Sequence, residues 1–228
     1  EFRRVLFRSA GLAHDDHGPA GLDVDARVVG PVGADDVKDV GERGADRSVR
    51  PCGAVGVHRG EDDPAGGGAF AIVRALGWMV ARGTPVVTIS LVGPANPLLE
   101  GAIRLARDRG VTVVAAVGND GPAAPPAYPA SYAGVVAVTG VDGRGRLLPE
   151  AGRALHVDFA APGADMKAAS ADGGRVAVRG TSFAAPLVAG RLFLSGGVDA
   201  LRAEATLPKG AARGYGAGIL CGSCRNMD

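Results

Sequence analysis

Ser182, Asn119 and Ser90 are the residues whose type and setting could do chemistry. Ser182 sits in Gly180-Thr181-Ser182-Phe183-Ala184-Ala185-Pro186, where a glycine opens a run of small and apolar residues. A hydroxyl there can be a nucleophile, backed by the positive end of a helix dipole, or only an N-cap, which an isolated Thr-Ser before a helix usually is. Asn119 lies in Gly118-Asn119-Asp120-Gly121, directly after a β-branched run. A carboxamide so placed offers two N–H donors, and alone it also reads as a turn residue that tolerates a left-handed backbone. Gly118–Gly121 lacks the lysine and the glycine spacing of a phosphate cradle. Ser90-Leu91-Val92-Gly93-Pro94 follows another β-branched run. His14 and His17 beside Asp15 and Asp16 could be metal ligands or a His–Asp dyad, or simply a solvated segment. Cys221-Gly222-Ser223-Cys224 has redox-motif spacing but stands away from any helix start, so a tail disulfide or idle thiols is the plainer reading.

The elements around these stretches follow from periodicity. Ala69 to Arg82 places Phe70, Ile72, Val73, Leu76, Met79 and Val80 at roughly helical spacing, and Gly83 ends it. Trp78 and the phenylalanines are expected in the core. Val86–Leu91 and Val111–Val117 are short continuous apolar runs of the kind that form buried strands. Between them Asn96 can cap a helix to Arg109, with Pro97 in its first turn and Gly110 stopping it. Further strands are expected at Gly134–Val141 and Leu155–Ala160, and helices at Ser182–Leu194 and Val198–Ala205. This alternation argues an α/β fold with a parallel sheet, in which chemistry collects at the carboxyl ends of the strands.

Taken in order, these segments resemble the subtilisin-like serine proteases. Gly180–Pro186 is similar to the nucleophile segment of that family, and Val113–Gly121 to the strand and turn that carry its oxyanion asparagine. The interval of 63 residues from Asn119 to Ser182 is close to that of the family. Ala160-Ala161-Pro162-Gly163 and Tyr215-Gly216-Ala217-Gly218 also match family segments. The resemblance implies a three-layer α/β fold with a mainly parallel sheet, incomplete at its N-terminus. It implies a serine endopeptidase acting on extended peptides or proteins, with Ser182 as nucleophile and Asn119 as oxyanion donor. Ser90, Leu91, Val92, Gly118 and Thr181 would then contact substrate. The family usually has glycine where this chain has Val92, and the added isopropyl group narrows the primary pocket. No cofactor is implied, no metal site can be placed, and export is the location the family would give.

The departures lie upstream. The family order is Asp, His, Ser, with the histidine roughly 160 residues before the serine and the aspartate roughly 30 before the histidine. Neither an Asp-Ser/Thr-Gly motif nor a His-Gly-Thr-His motif occurs here. His17 is 165 residues before Ser182, but Gly18-Pro19-Ala20 does not continue as a helix, so it is only a weak candidate for the base. His58 is too close to Ser182, and His156 follows Asn119 in the chain. The expectation is therefore a protease domain nearly inactive as this chain, with a non-catalytic peptide-binding domain as the alternative.

Composition bears on the same point. The chain has 228 residues, and residues 10–64 hold 12 of its 24 acidic residues but no Phe, Tyr, Trp, Ile or Met. Such a stretch buries too little bulky apolar surface to offset the entropy of ordering. Residues 1–9 resemble a translated sequencing-library adapter. Residues 1–62 are expected to be poorly ordered, artefactual or out of frame, 63–220 to form the partial catalytic domain, and 221–228 a tail. A net charge of +1 argues against a polybasic nucleic-acid or membrane binder, and no apolar run reaches the roughly 18 residues of a membrane span.

Overall fold

The computed structural model describes residues 3–4, 26–30, 53–56, 68–169, 174–211, 213–222 and 224. The described elements run β1 (Arg3–Arg4), β2 (Ala26–Gly30), β3 (Gly53–Gly56), α1 (Ala69–Ala81), β4 (Val86–Ile89), β5 (Leu91–Val92) and α2 (Pro97–Asp108). They continue β6 (Thr112–Ala116), β7 (Val136–Val141), β8 (Phe159–Pro162), β9 (Met166–Ala169), β10 (Arg175–Val178), α3 (Thr181–Ser195) and α4 (Val198–Glu204). A six-stranded sheet has the order β3-β2-β4-β6-β7-β8. From β4 to β8 neighbouring strands are parallel, while β2 pairs antiparallel with both β3 and β4. The sheet is therefore mainly parallel and covered on two faces. This is why its strands are continuous apolar runs rather than alternating ones.

One face receives α1 and α2. Leu99, Ile103 and Ala106 recur along α2 at helical spacing and are buried with Ile72, Leu76 and Met79 of α1. Asn96 caps α2, its Oδ1 accepting from Leu99 N at 3.1 Å, and Pro97 occupies the first turn. The Tyr132 hydroxyl accepts from Asn96 N at 2.7 Å and donates to Asn96 O at 3.0 Å, fixing where that helix begins. Burial of Tyr132 outweighs that backbone hydrogen bond and raises the phenol above its ordinary pKa. The other face receives α3, whose Ala184, Ala185, Val188 and Ala189 lie on Val114, Ala116, Val138 and Ala161.

Several expectations are corrected. The strand expected over Val86–Leu91 divides at Ser90: β4 ends at Ile89, and Leu91–Val92 leave the main sheet. The ladder between Gly93 and Tyr128, closed by two backbone hydrogen bonds, draws the chain aside there. The strand expected at Leu155–Ala160 is Phe159–Pro162, because Leu155 is 67% exposed and belongs to the preceding loop. The β9–β10 hairpin was not anticipated. Trp78 and Phe70 are exposed rather than core, and the Arg82 guanidinium lies 4.1 Å from the Trp78 ring. Of the two plain readings of the tail cysteines, the disulfide is the one present, between Cys221 and Cys224.

Candidate active site

The carboxyl end of β6 and the start of α3 meet through three groups. Asn119 Oδ1 accepts from Thr181 N at 3.0 Å, and Thr181 Oγ1 donates to Gly118 O at 3.1 Å. That first bond also fixes the carboxamide's orientation, since only its oxygen can accept; Nδ2 is left as the free donor end. Gly180 N donates to Gly163 O at 2.7 Å, anchoring the turn before α3 to the loop after β8. Glycine is required at 180 for two reasons. Its φ is +137°, and a Cβ there would stand 2.9 Å from Asn119 Nδ2.

Ser182 occupies the second position of α3, where backbone N–H groups have no intrahelical partner. Its carbonyl is exceptional as well. Pro186, four residues on, has no N–H to return to Ser182 O, so that acceptor is released from the helix ladder. Ser90 Oγ takes it up, donating to Ser182 O at 3.2 Å. The Pro186 motif residue and the Ser90 segment are thus parts of one arrangement. Ser182 is only 9% exposed, less open than a helix start implies, because Ser90 and the turn at Asn119 pack beside it. Its Oγ has no hydrogen-bond partner among the described residues, and the same holds for the buried Thr88 Oγ1 on β4.

Beside the Asn119 turn lies a feature the sequence reading missed. Arg179 and Glu150 form a two-pronged ion pair, with Arg179 Nη2 donating to Glu150 Oε2 at 2.9 Å and Arg179 Nε to Glu150 Oε1 at 2.6 Å. Burial pushes the Glu150 carboxyl upward, but the hydrogen bonds and charge of Arg179 prevail and hold it below its ordinary range. Arg179 is raised in turn, first by its hydrogen bond to Glu150. Glu150 O accepts from Gly121 N at 2.9 Å, and Gly152 N donates to Gly118 O at 2.7 Å. The segment 150–152 thus runs stitched along the turn that carries Asn119. The spacing of Pro186 four residues after Ser182 could have been read from the sequence; the pairing of Glu150 with Arg179 had no local signal.

The structure brings together Ser90, Gly118, Asn119, Thr181 and Ser182, with Leu91 and Val92 on the adjoining strand β5. His14, His17 and His58 lie outside the described residues. His156 is the one described histidine, and its Nε2 stands 2.9 Å from Val135 O and 3.5 Å from Asp158 Oδ2. Among the described residues, no group of three metal-ligating side chains comes together.

Subtilisin BL of Lederbergia lenta is 35% identical over 129 residues, covering 56% of this chain and 48% of that protein. The minor extracellular protease Epr of Bacillus subtilis (strain 168) is 31% identical over 134 residues, covering 58% of this chain and 21% of Epr. The chain thus spans about half the length of Subtilisin BL and less of Epr. The solved structure of the patellamide maturation protease PatA superposes with a TM-score of 0.59 at 27% identity, covering 68% of this chain and 66% of that one. The family model described as the Subtilase family matches residues 31–195, reaching upstream of the boundary expected at residue 63. This chain belongs to the subtilase family of serine proteases.

Proposed function

We propose that residues 63–220 are the nucleophile-bearing portion of a serine endopeptidase domain. The observation that supports this most is the Asn119–Thr181 hydrogen bond, which joins residues 62 positions apart and sets a carboxamide beside Ser182. In this reading Ser182 Oγ attacks the scissile carbonyl and passes its proton to a general base. The negative charge that develops on the carbonyl oxygen is met by Asn119 Nδ2 and the Ser182 backbone N–H. The C–N bond then breaks, the amine leaves with a proton, and water releases the acyl group from Ser182.

Extended substrate lies along Leu91–Val92. Support comes from β1, where Arg3 and Arg4 pair antiparallel with Val92 and Leu91: the edge takes an extended segment by backbone pairing, and a substrate there must displace β1. Gly118 and Thr181 fix the two backbones against which that substrate stops. The base is the part that the described residues do not supply. In subtilisin itself, loss of the histidine lowers turnover by about 10⁶ and loss of the oxyanion amide by about 10²–10³. Ser182 Oγ has no partner among the described residues, and this favours a second reading, a domain that binds peptides and turns them over barely or not at all.

Labelling with a fluorophosphonate, located by peptide mass spectrometry, tests both. Modification of Ser182, abolished in Ser182→Ala and slowed about 10²–10³-fold in Asn119→Ala, is the expected result for a competent nucleophile. Absence of labelling together with peptide binding at β5 would establish the non-catalytic reading instead.

A further inference from the structure

Residues 217–220 run along the outer edge of β8. Ala160 N donates to Gly218 O at 2.9 Å, and Leu220 N donates to Ala160 O at 2.8 Å. Ile219 exchanges two backbone hydrogen bonds with Thr206, and Leu220 is fully buried in the core beneath α3. The segment therefore closes a sheet edge that would otherwise carry unpaired N–H and C=O groups. Cys221 follows Leu220 directly and turns the chain away from that edge. Its φ is +56°, a left-handed conformation that a side chain makes costly. Cys224 N closes the turn by donating to Cys221 O at 2.9 Å.

The Cys221–Cys224 disulfide joins residues three positions apart, so it ties the tail to itself rather than to α3, α4 or β8. A bridge that closes so short a loop removes little entropy from the unfolded chain, which argues against a staple for the fold. What it does is hold Cys221 in the left-handed turn next to Leu220. Gly222, between the cysteines, is exposed and gives a small reductant a way in. We propose that Cys221–Cys224 is a reversible thiol–disulfide exchange site for dithiol reductants, and that its oxidised form latches residues 217–220 onto β8. One thiolate of the dithiol attacks Cys224 Sγ, because the core partly covers Cys221. Cys221 Sγ leaves as a thiolate and takes up a proton. The second thiolate of the reductant attacks the reductant's own sulfur in the mixed disulfide and releases Cys224. The protein gains two electrons and two protons, and the dithiol becomes a cyclic disulfide. Cys221 is then free to leave the left-handed region, and the turn no longer holds the segment on β8. The inference does not depend on turnover at Ser182.

The test treats the folded full chain with millimolar dithiothreitol without denaturant, traps thiols with iodoacetamide and locates them by peptide mass spectrometry. Both Cys221 and Cys224 should be alkylated after reduction, and the bridge should be recovered on reoxidation with oxidised glutathione. Hydrogen exchange of the same samples reads the latch. Exchange at Ala160, Ile219 and Leu220 should speed up about tenfold on reduction, the order expected when a side-chain-bearing residue is no longer held left-handed. Ile103 and Ala106 of α2 should keep their rates. The Cys221→Ser/Cys224→Ser variant should exchange like the reduced chain with or without reductant, and if it fails to fold the wild-type comparison carries the test. A bridge that reduces only in denaturant, or pairing of either cysteine with Cys52, would overturn the proposal. Unchanged exchange on reduction, or equal acceleration in α2, would overturn it as well.

Discussion

On the face of the sheet covered by α1 and α2, the core is made of Ile72, Leu76, Met79, Leu99 and Ile103. On the other face, the residues at the start of α3 that meet the sheet are small, Ala184, Ala185, Val188 and Ala189, although Phe159, Leu192, Leu201 and Leu220 belong to the same core. The first set contributes transfer free energy in proportion to its area. The small residues of α3 contribute less each but let a helix axis come closer to the strands, because the distance between packed elements follows the side chains between them. The site depends on that closeness. Asn119 Oδ1 reaches Thr181 N at 3.0 Å only if the start of α3 lies almost on the end of β6. Bulky residues stabilise both faces, and the alanines at the start of α3 allow the close approach.

The largest effect that would sharpen this contrast is on the face covered by α1 and α2. Ile103 is 1% exposed, and Ile103→Ala should cost about 2–5 kcal/mol through lost transfer energy and a residual cavity. Denaturant unfolding measures the loss. Because Ile103 lies across the sheet from α3, fluorophosphonate labelling of Ser182 in the folded protein should keep its wild-type rate. A variant that loses labelling and stability together would show that the two faces are not separable.

Ala185→Leu is the complementary change. Ala185 is fully buried against the sheet, so three added carbons overpack the interface and should cost about 1–3 kcal/mol. The helix start must then move away from Gly118 and Asn119. The expected outcome is a smaller loss of stability than in Ile103→Ala but loss of Ser182 labelling. Retention of labelling would mean that the hydrogen bonds at the site, rather than the small residues behind it, hold α3 in place.

The same contrast explains what could be read from the sequence. The helix α2 was legible because Asn96, Pro97, the Leu99–Ile103–Ala106 stripe and Gly110 all state one answer locally. Trp78 was misassigned to the core although the spacing along α1 speaks against it. The buried stripe of α1 is Ile72, Ala75, Leu76 and Met79, and Trp78 falls off it. The division of the first strand at Ser90 was not legible, since Ile89, Leu91 and Val92 are all buried and the run looks continuous. What separates them is the pairing of Gly93 with Tyr128, 35 residues away. The β9–β10 hairpin escaped because Arg175, Val176 and Ala177 are exposed and carry no alternation. Ser182 and Asn119 could be found from motif and order. The ion pair beside them could not, since Glu150 and Arg179 meet only after the strands have set their distance.

That ion pair gives the smallest effect and the finest test of how the close approach is held. Glu150 and Arg179 are 30% and 49% exposed at their side chains, so solvent screening limits their contribution to about 0.2–1 kcal/mol. The folded-state pKa of Glu150 lies below its ordinary 4.5, and the stabilisation is therefore fully present above that value and lost as pH falls through the folded pKa. Arg179 stays charged throughout. The stability difference between wild type and Glu150→Gln should hold steady from pH 7 to about pH 5 and shrink toward zero below it. Asp142 is lowered too, with burial opposing and Arg146 and neighbouring backbone N–H groups prevailing, but it is present in both proteins and cancels. A difference that persists unchanged to pH 3 would show that Glu150 acts through its backbone bond to Gly121 alone. The charge pair would then play no part in holding the Asn119 turn against the start of α3.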